Sequence, residues 1–171
     1  MNKIQALIAT VVLAAATLVA AALGGTSSAA PQKAPKGTLV SIHKTALGKV
    51  LADGRGHTLY LFEQDKNGMS SCNGACVAYW PAVLTAAKPR AGAGVRASLL
   101  GRTKRSDGRR QVTYAGHPLY TFVGDKKAGQ TTGEGLTDFG AAWDAIAPNG
   151  RSIEPDAPAS GGSGNGQGPG W

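Results

Sequence analysis

The sequence predicts a mainly β fold with short peripheral helices, in which two β-hairpin or meander repeats form one pseudo-symmetric domain. The first observation is an internal repeat, since residues 56–66 match residues 116–126 at seven of eleven positions without a gap. The second is a series of short apolar runs separated by turn signals such as Asp53-Gly54 and Asp107-Gly108, which is typical of β-rich domains. Two copies are too few for a solenoid, so we expect two similar halves packed together.

The ends of the chain differ in composition from its middle. Lys3 precedes an apolar run over residues 4–23 that leads into small residues, the order found in a secretory signal peptide. A retained membrane anchor is the alternative, because the run is long enough to span a bilayer. No cysteine lies near this junction, so we expect no lipid anchor. The predicted segments are a signal peptide (1–29), a flexible lead (30–38), the two-repeat domain (39–153, with repeat one at about 39–85 and repeat two at about 97–148) and a disordered glycine-rich tail (154–171).

Each repeat predicts a hairpin followed by a strand. In repeat one, residues 39–43 and 49–51 have the pattern of paired strands, and residues 58–62 are apolar on both faces, which favours a central strand. The alternation places Tyr60 and Phe62 on one face of this strand and Leu59 and Leu61 on the other.

The second hairpin and two short helices complete the predicted elements. Residues 99–104 and 109–114 flank a turn at residues 106–108 and predict a hairpin. One short helix is expected between Ser71 and Pro81, and another from Asp138, as its N-cap, to Ile146.

Cys72 and Cys76 are the only two cysteines. Two nearby thiols outside the cytoplasm usually oxidise to each other, and a separation of four residues on a helix puts the α-carbons about 6 Å apart. We therefore expect a disulfide and no metal. The alternative is a redox or soft-metal pair, in which Met69 supplies a thioether ligand to copper(I) and His57 a further one.

Basic residues are concentrated between positions 90 and 110. The chain has a net charge of +8, and seven basic residues in this span face a single acidic one, Asp107. One interpretation is a solvated hairpin, and the other is a surface for anionic envelope polymers or another envelope protein. No nucleic-acid-binding motif accompanies the charge, so we expect no nucleic acid partner. The candidate basic surface consists of Arg102, Lys104, Arg105, Arg109 and Arg110.

Both copies of the repeat contain a tyrosine, an aromatic residue and an aspartate at the same spacing. A functional interpretation combines phenol, imidazole and carboxylate within each copy into a polar site, with the histidine as proton carrier. A structural interpretation buries the tyrosine ring and lets the aspartate cap the turn that ends the strand. The odd spacing favours the structural interpretation, because tyrosine and aspartate would face opposite ways in a continuous strand. The residues are His57, Tyr60, Phe62 and Asp65 in the first copy and His117, Tyr120, Phe122 and Asp125 in the second.

This motif also carries a family resemblance. The pattern Tyr-x-aromatic-x-x-Asp, which begins at Tyr60 and again at Tyr120, resembles the secreted repeat family of predicted bacterial lipoproteins. The similarity extends to residues 72–81 and 111–120 and covers most of residues 40–150. The resemblance implies export but little about activity, because the family is known chiefly as a repeat of unknown function. The chain departs from the lipoprotein description, since it has no cysteine for lipid attachment near the predicted signal peptide.

The motifs do not indicate a catalytic class. A body of about 115 residues excludes a large multidomain enzyme or a multipass membrane protein, and the sequence has no nucleophile elbow, phosphate-binding loop or dinucleotide fingerprint. We therefore favour an exported, non-catalytic binding or structural module without a cofactor, either secreted or associated with the cell wall. The alternative is an extracytoplasmic redox or copper-handling protein that uses Cys72 and Cys76.

Overall fold

The protein is an assembly of short strands. The computed structural model describes residues 36–153, so the predicted signal peptide, most of the lead and the tail lie outside the described residues. In this part of the chain, no helix has the length and hydropathy that crossing a bilayer requires. The elements in chain order are β1 (Leu39–Thr45), β2 (Gly48–Asp53), β3 (Tyr60–Phe62), α1 (Cys76–Tyr79), β4 (Arg90–Ala91), a 3-10 turn (Ala97–Leu99), β5 (Leu100–Lys104), β6 (Arg110–Tyr114), β7 (His117–Pro118), β8 (Leu136–Asp138) and β9 (Ala141–Ala145).

Each repeat contributes an antiparallel hairpin, as the sequence predicts. β1 pairs with β2 in repeat one, and β5 pairs with β6 in repeat two. A glycine then turns the chain back in each copy, and Gly56 and Gly116 have the same φ of 87°, a conformation that glycine adopts without strain. The strands form three small sheets with the orders β2-β1-β4, β3-β9-β8 and β5-β6-β7.

The two repeats meet at Tyr60 and Tyr120. The amide of Tyr60 donates to the carbonyl of Tyr120 at 2.9 Å, and the amide of Tyr120 donates back to Tyr60 at 3.0 Å. Trp80 and Trp143, which follow the two copies, stack with ring centroids 4.0 Å apart and planes 5° from parallel. Equivalent residues of the two repeats thus contact each other, and a pseudo-two-fold axis runs between them.

The segment after each tryptophan crosses to the other repeat. Ile146 of repeat two lies between β2 and the segment leading into β3, and Val83 of repeat one lies in the equivalent place in repeat two. The backbone bonds are Leu51 N to Ile146 O (2.8 Å), Ile146 N to Leu59 O (3.1 Å), Val112 N to Val83 O (2.8 Å) and Val83 N to Leu119 O (2.9 Å). Each repeat therefore satisfies buried backbone groups of the other, and the two are interlocked.

The strand β3 separates two hydrophobic clusters. Leu59 and Leu61 pack into one cluster and Tyr60 and Phe62 into the other, as the alternation predicts. The second cluster is aromatic, and in it Trp143 stacks on Phe62 at 4.0 Å and on the tryptophan of the other repeat. The core thus lies along the seam between the repeats.

The helix predicted over residues 138–146 is wrong, because this segment forms the β8–β9 hairpin. Phe139 and Gly140 make its turn with φ values of 56° and 96°, the left-handed conformation of a two-residue hairpin turn. Its alanines favour a helix by propensity, but pairing with β3 and burial of Trp143 override that preference. The helix predicted within residues 71–81 is present only as the single turn α1.

Candidate functional site

Two tyrosine–aspartate pairs join the repeats, and we call them the clasps. The hydroxyl of Tyr60 donates to Oδ2 of Asp125 at 2.7 Å, and the hydroxyl of Tyr120 donates to Oδ2 of Asp65 at 2.7 Å. Each tyrosine therefore binds the aspartate of the other repeat and not its own. Burial raises the pKa of both tyrosines, and the adjoining carboxylates raise it further, so both phenols remain neutral donors.

The second oxygen of each aspartate orders the loop that follows. Oδ1 of Asp65 accepts from the amide and the hydroxyl of Ser71, both at 2.8 Å. Oδ1 of Asp125 accepts from the amide and the hydroxyl of Thr132 at 2.9 and 2.7 Å. The aspartate does cap a turn, as the structural interpretation expects, but the capped residue lies six or seven positions further on.

The phenylalanine of each motif copy also contacts the other repeat. Phe62 stacks on Trp143, and the ring centroids of Phe122 and Trp80 lie 4.4 Å apart. The tyrosine, the phenylalanine and the aspartate of each copy thus all contact the other copy. The motif therefore specifies how the two repeats pair.

Arg105 is buried, which corrects its assignment to the basic surface. It is 4% exposed, and its guanidinium donates to Oε1 of Gln111 and to the carbonyl of Cys72, both at 2.6 Å. A third bond reaches the hydroxyl of Ser70 at 2.7 Å, and that hydroxyl lies 2.7 Å from the Tyr120 hydroxyl. Arg105 therefore links the second hairpin to one clasp and to residues 70–76, which we call the cysteine loop.

Cys72 and Cys76 form the predicted disulfide, with α-carbons 5.3 Å apart. Both lie in the aromatic cluster, and closing so short a loop stabilises the fold by about 2 kcal/mol on the loop-entropy model. Met69, the third ligand in the copper hypothesis, is 59% exposed. Within residues 36–153, no three His, Cys, Asp or Glu side chains are grouped as metal ligands. The copper hypothesis requires two cysteine thiolates, whereas the two sulfur atoms here are joined in a disulfide.

Four of the five predicted basic-surface residues are exposed, namely Arg102, Lys104, Arg109 and Arg110. Arg109 donates to Oδ2 of Asp107 at 2.6 Å, and this hydrogen bond lowers the pKa of the Asp107 carboxyl. The other three cations have no ion-pair partner in the described part of the chain.

The two motif histidines have different surroundings. Nδ1 of His57 lies 3.4 Å from Oδ2 of Asp53, within its own turn. The ring of His117 has no hydrogen-bond partner in residues 36–153. Neither imidazole hydrogen-bonds to a clasp, so the phenol–imidazole–carboxylate site of the functional interpretation is not assembled.

Two segments of the chain match the same protein-family model. Residues 41–84 and residues 101–147 each match the model of a secreted repeat of unknown function, and together they cover more than half of the chain. The chain belongs to this secreted-repeat family. The resemblance that the sequence indicates is thereby confirmed, and both copies of the secreted repeat lie in the interlocked domain. Neither a curated protein nor a solved structure matches the chain.

Proposed function

We propose that this secreted-repeat protein is a non-catalytic binding module whose basic face binds anionic polymers of the cell envelope. The basic face consists of Arg102, Lys104, Arg109 and Arg110. The observation that supports the proposal most is the grouping of four exposed cations on the second hairpin, where Lys104 lies directly opposite Arg110 and a cleft adjoins Arg109 and Arg110. Like charges opposed across two strands repel each other, and a bound polyanion would relieve that repulsion.

A cleft beside the basic face offers a polymer further contacts. It has a volume of about 490 Å³, and two arginines of the hairpin are among its lining residues. Its arginines suit phosphate or carboxylate groups, and its hydroxyl and apolar groups suit the units that join them. The lining residues are Thr38, Leu84, Thr85, Ala86, Arg109 and Arg110.

Because the family is a secreted repeat, the polyanions considered are those found outside the cell. A secreted protein meets wall teichoic or teichuronic polymers and acidic polysaccharides, all of which carry regularly spaced negative charges. Of these, phosphate-rich teichoic chains suit the guanidinium of Arg110, which has no ion-pair partner in the described part of the chain, whereas Arg109 is paired with Asp107. Such binding would hold the protein at the envelope by charge, and salt would weaken it steeply.

The double variant Lys104→Gln/Arg110→Gln tests this proposal. We expect it to bind poly(glycerol phosphate) teichoic acid about thirtyfold more weakly than the parent at low salt, because each basic residue near an anionic surface contributes about 1 kcal/mol. Biolayer interferometry with immobilised polymer measures the affinity, and a neutral glucan reports non-specific adsorption.

The first hairpin provides a matched control. Lys44 lies directly opposite Lys49 in the β1–β2 register, so Lys44→Gln/Lys49→Gln removes the same charge from the equivalent place in repeat one. A much smaller loss of affinity is expected for this variant. Equal losses in the two double variants would show that net charge alone attracts the polymer and would contradict a defined basic face.

A further inference from the structure

A second cleft, separate from the basic face, lies where the two repeats meet. Its volume is about 500 Å³, which is within the range of small-molecule sites. One wall comes from the end of β3 in repeat one, and the others come from β7 and from the turn after β9 in repeat two. The lining residues are Leu61, Glu63, His117, Gly150, Arg151 and Ser152.

The ionisable side chains of this cleft are unpaired. Glu63 and Arg151 are exposed, have opposite charges and line the same cleft, and no ion pair joins them. Neither side chain has a hydrogen-bond partner among residues 36–153, and the ring of His117 has none either. Leu61, which is 1% exposed and packed in a hydrophobic cluster, lies beneath the cleft. A ligand with one positive and one negative group could neutralise both side chains at once.

The pseudo-symmetry provides an internal comparison for these residues. The positions equivalent to Leu61 and Glu63 in the other repeat are Thr121 and Val123, so the fold does not require a carboxylate there. The equivalent of His117 is His57, whose ring lies beside Asp53 in its own turn. An unpaired carboxylate and an unpaired imidazole therefore occur together on one side of the domain only.

We propose that this cleft binds a small zwitterion, either an amino acid or a short peptide with free ends. The ammonium group of the ligand binds Glu63, and its carboxylate binds the planar fork of Arg151. His117 and Ser152 supply further hydrogen-bonding groups. None of the lining residues belongs to the basic face, so this site does not depend on the proposed polymer binding.

Nuclear magnetic resonance titration of the ¹⁵N-labelled exported protein tests the proposal with four probes. These are alanine, alanyl-alanine, acetate and methylammonium, so that each charge is also offered alone and the free amino acid is compared with the peptide. We expect saturable shifts of the Leu61 and Ser152 amides with alanine or alanyl-alanine. Acetate and methylammonium should bind at least about tenfold more weakly, since each forms only one charge-assisted contact.

Three substitutions assign the effect to the cleft. Glu63→Val introduces the residue that the other repeat has at this position, so the fold should be retained while zwitterion binding falls by about tenfold or more. Arg151→Gln should have a similar effect, and Arg55→Gln, an exposed arginine outside the cleft, should have none. The proposal would be overturned by unsaturable or scattered shifts, by acetate binding as tightly as alanine, or by unchanged binding to Glu63→Val.

Discussion

Replacement of Trp143 by alanine is expected to lower the free energy of unfolding by about 3–5 kcal/mol, the largest single-residue effect that we predict. Trp143 is fully buried. Its ring stacks on those of Phe62 and Trp80, with centroids 4.0 Å apart in each case, and makes an edge-to-face contact with Tyr120 at a centroid distance of 5.1 Å. These contacts lie on the seam, so the resulting cavity would loosen the pairing of the repeats as well as the packing of β9. Urea denaturation followed by circular dichroism measures the change.

An exposed aromatic residue provides the control for this prediction. Tyr79 is 55% exposed, and within residues 36–153 its ring contacts only that of Phe139, which is also exposed. Tyr79→Ala should therefore change the free energy of unfolding by well under 1 kcal/mol. If the two alanine variants were equally stable, the aromatic stack could not be what holds the seam together.

Replacement of Arg105 by methionine is expected to lower the free energy of unfolding by about 3 kcal/mol. Methionine fills much of the same volume but donates no hydrogen bond. The carbonyl of Cys72 and Oε1 of Gln111 would each lose a bond of 2.6 Å in a buried place. The cysteine loop would also lose its link to the second hairpin, so the disulfide should be reduced faster by an added thiol.

Arg109→Met is the matched control for the Arg105 variant. It removes the same charge from a nearby position, but Arg109 is exposed, and among the described residues its side chain hydrogen-bonds only to Asp107. Stability should therefore be nearly unchanged. Chemical denaturation and the rate of thiol labelling under mild reduction together test both variants. An Arg105→Met protein with the stability and reduction rate of the parent would show that the buried guanidinium does not connect these elements.

The sequence allows the meander of each repeat to be predicted, because alternation and turn residues act locally. The two faces of residues 58–62, the hairpin around residues 106–108 and the Cys72–Cys76 disulfide all follow from spacing within a few residues. The pairing of Tyr60 with Asp125 does not follow in this way. Spacing within one copy relates Tyr60 only to Asp65, and the partner in the other copy is determined by the pseudo-two-fold axis.

Two other differences have local physical causes. Period-two alternation along β5 puts Arg102 and Lys104 on one side and residue 105 on the other, so the burial of Arg105 was indicated by its position in the pattern. The β8–β9 hairpin was harder to predict, because a bulky residue at a left-handed turn position is uncommon. Phe139 adopts that conformation, and the sheet that it closes includes β3 from the other repeat.

The functional proposals separate the residues that pair the two repeats from the residues that are proposed to bind ligands. The tyrosine, the phenylalanine and the aspartate of the motif pair the two copies. We assign binding instead to residues outside this set, which include the cations of the second hairpin and Glu63 in the cleft. Variants of the two sites should therefore affect separate ligands and leave the domain folded.

A double-mutant cycle on Tyr60→Phe and Asp125→Ala tests most directly the claim that the repeats are joined by reciprocal clasps. The cycle measures the free energy of unfolding of both single variants and the double variant, and the interlocked structure predicts a coupling energy of about 1.5–3 kcal/mol, as for a hydrogen bond to a charged group. The same cycle on Tyr60→Phe and Asp65→Ala, the pair within one copy, should give less than about 0.5 kcal/mol. Strong coupling of Tyr60 to Asp65 and none to Asp125 would contradict the exchange between repeats.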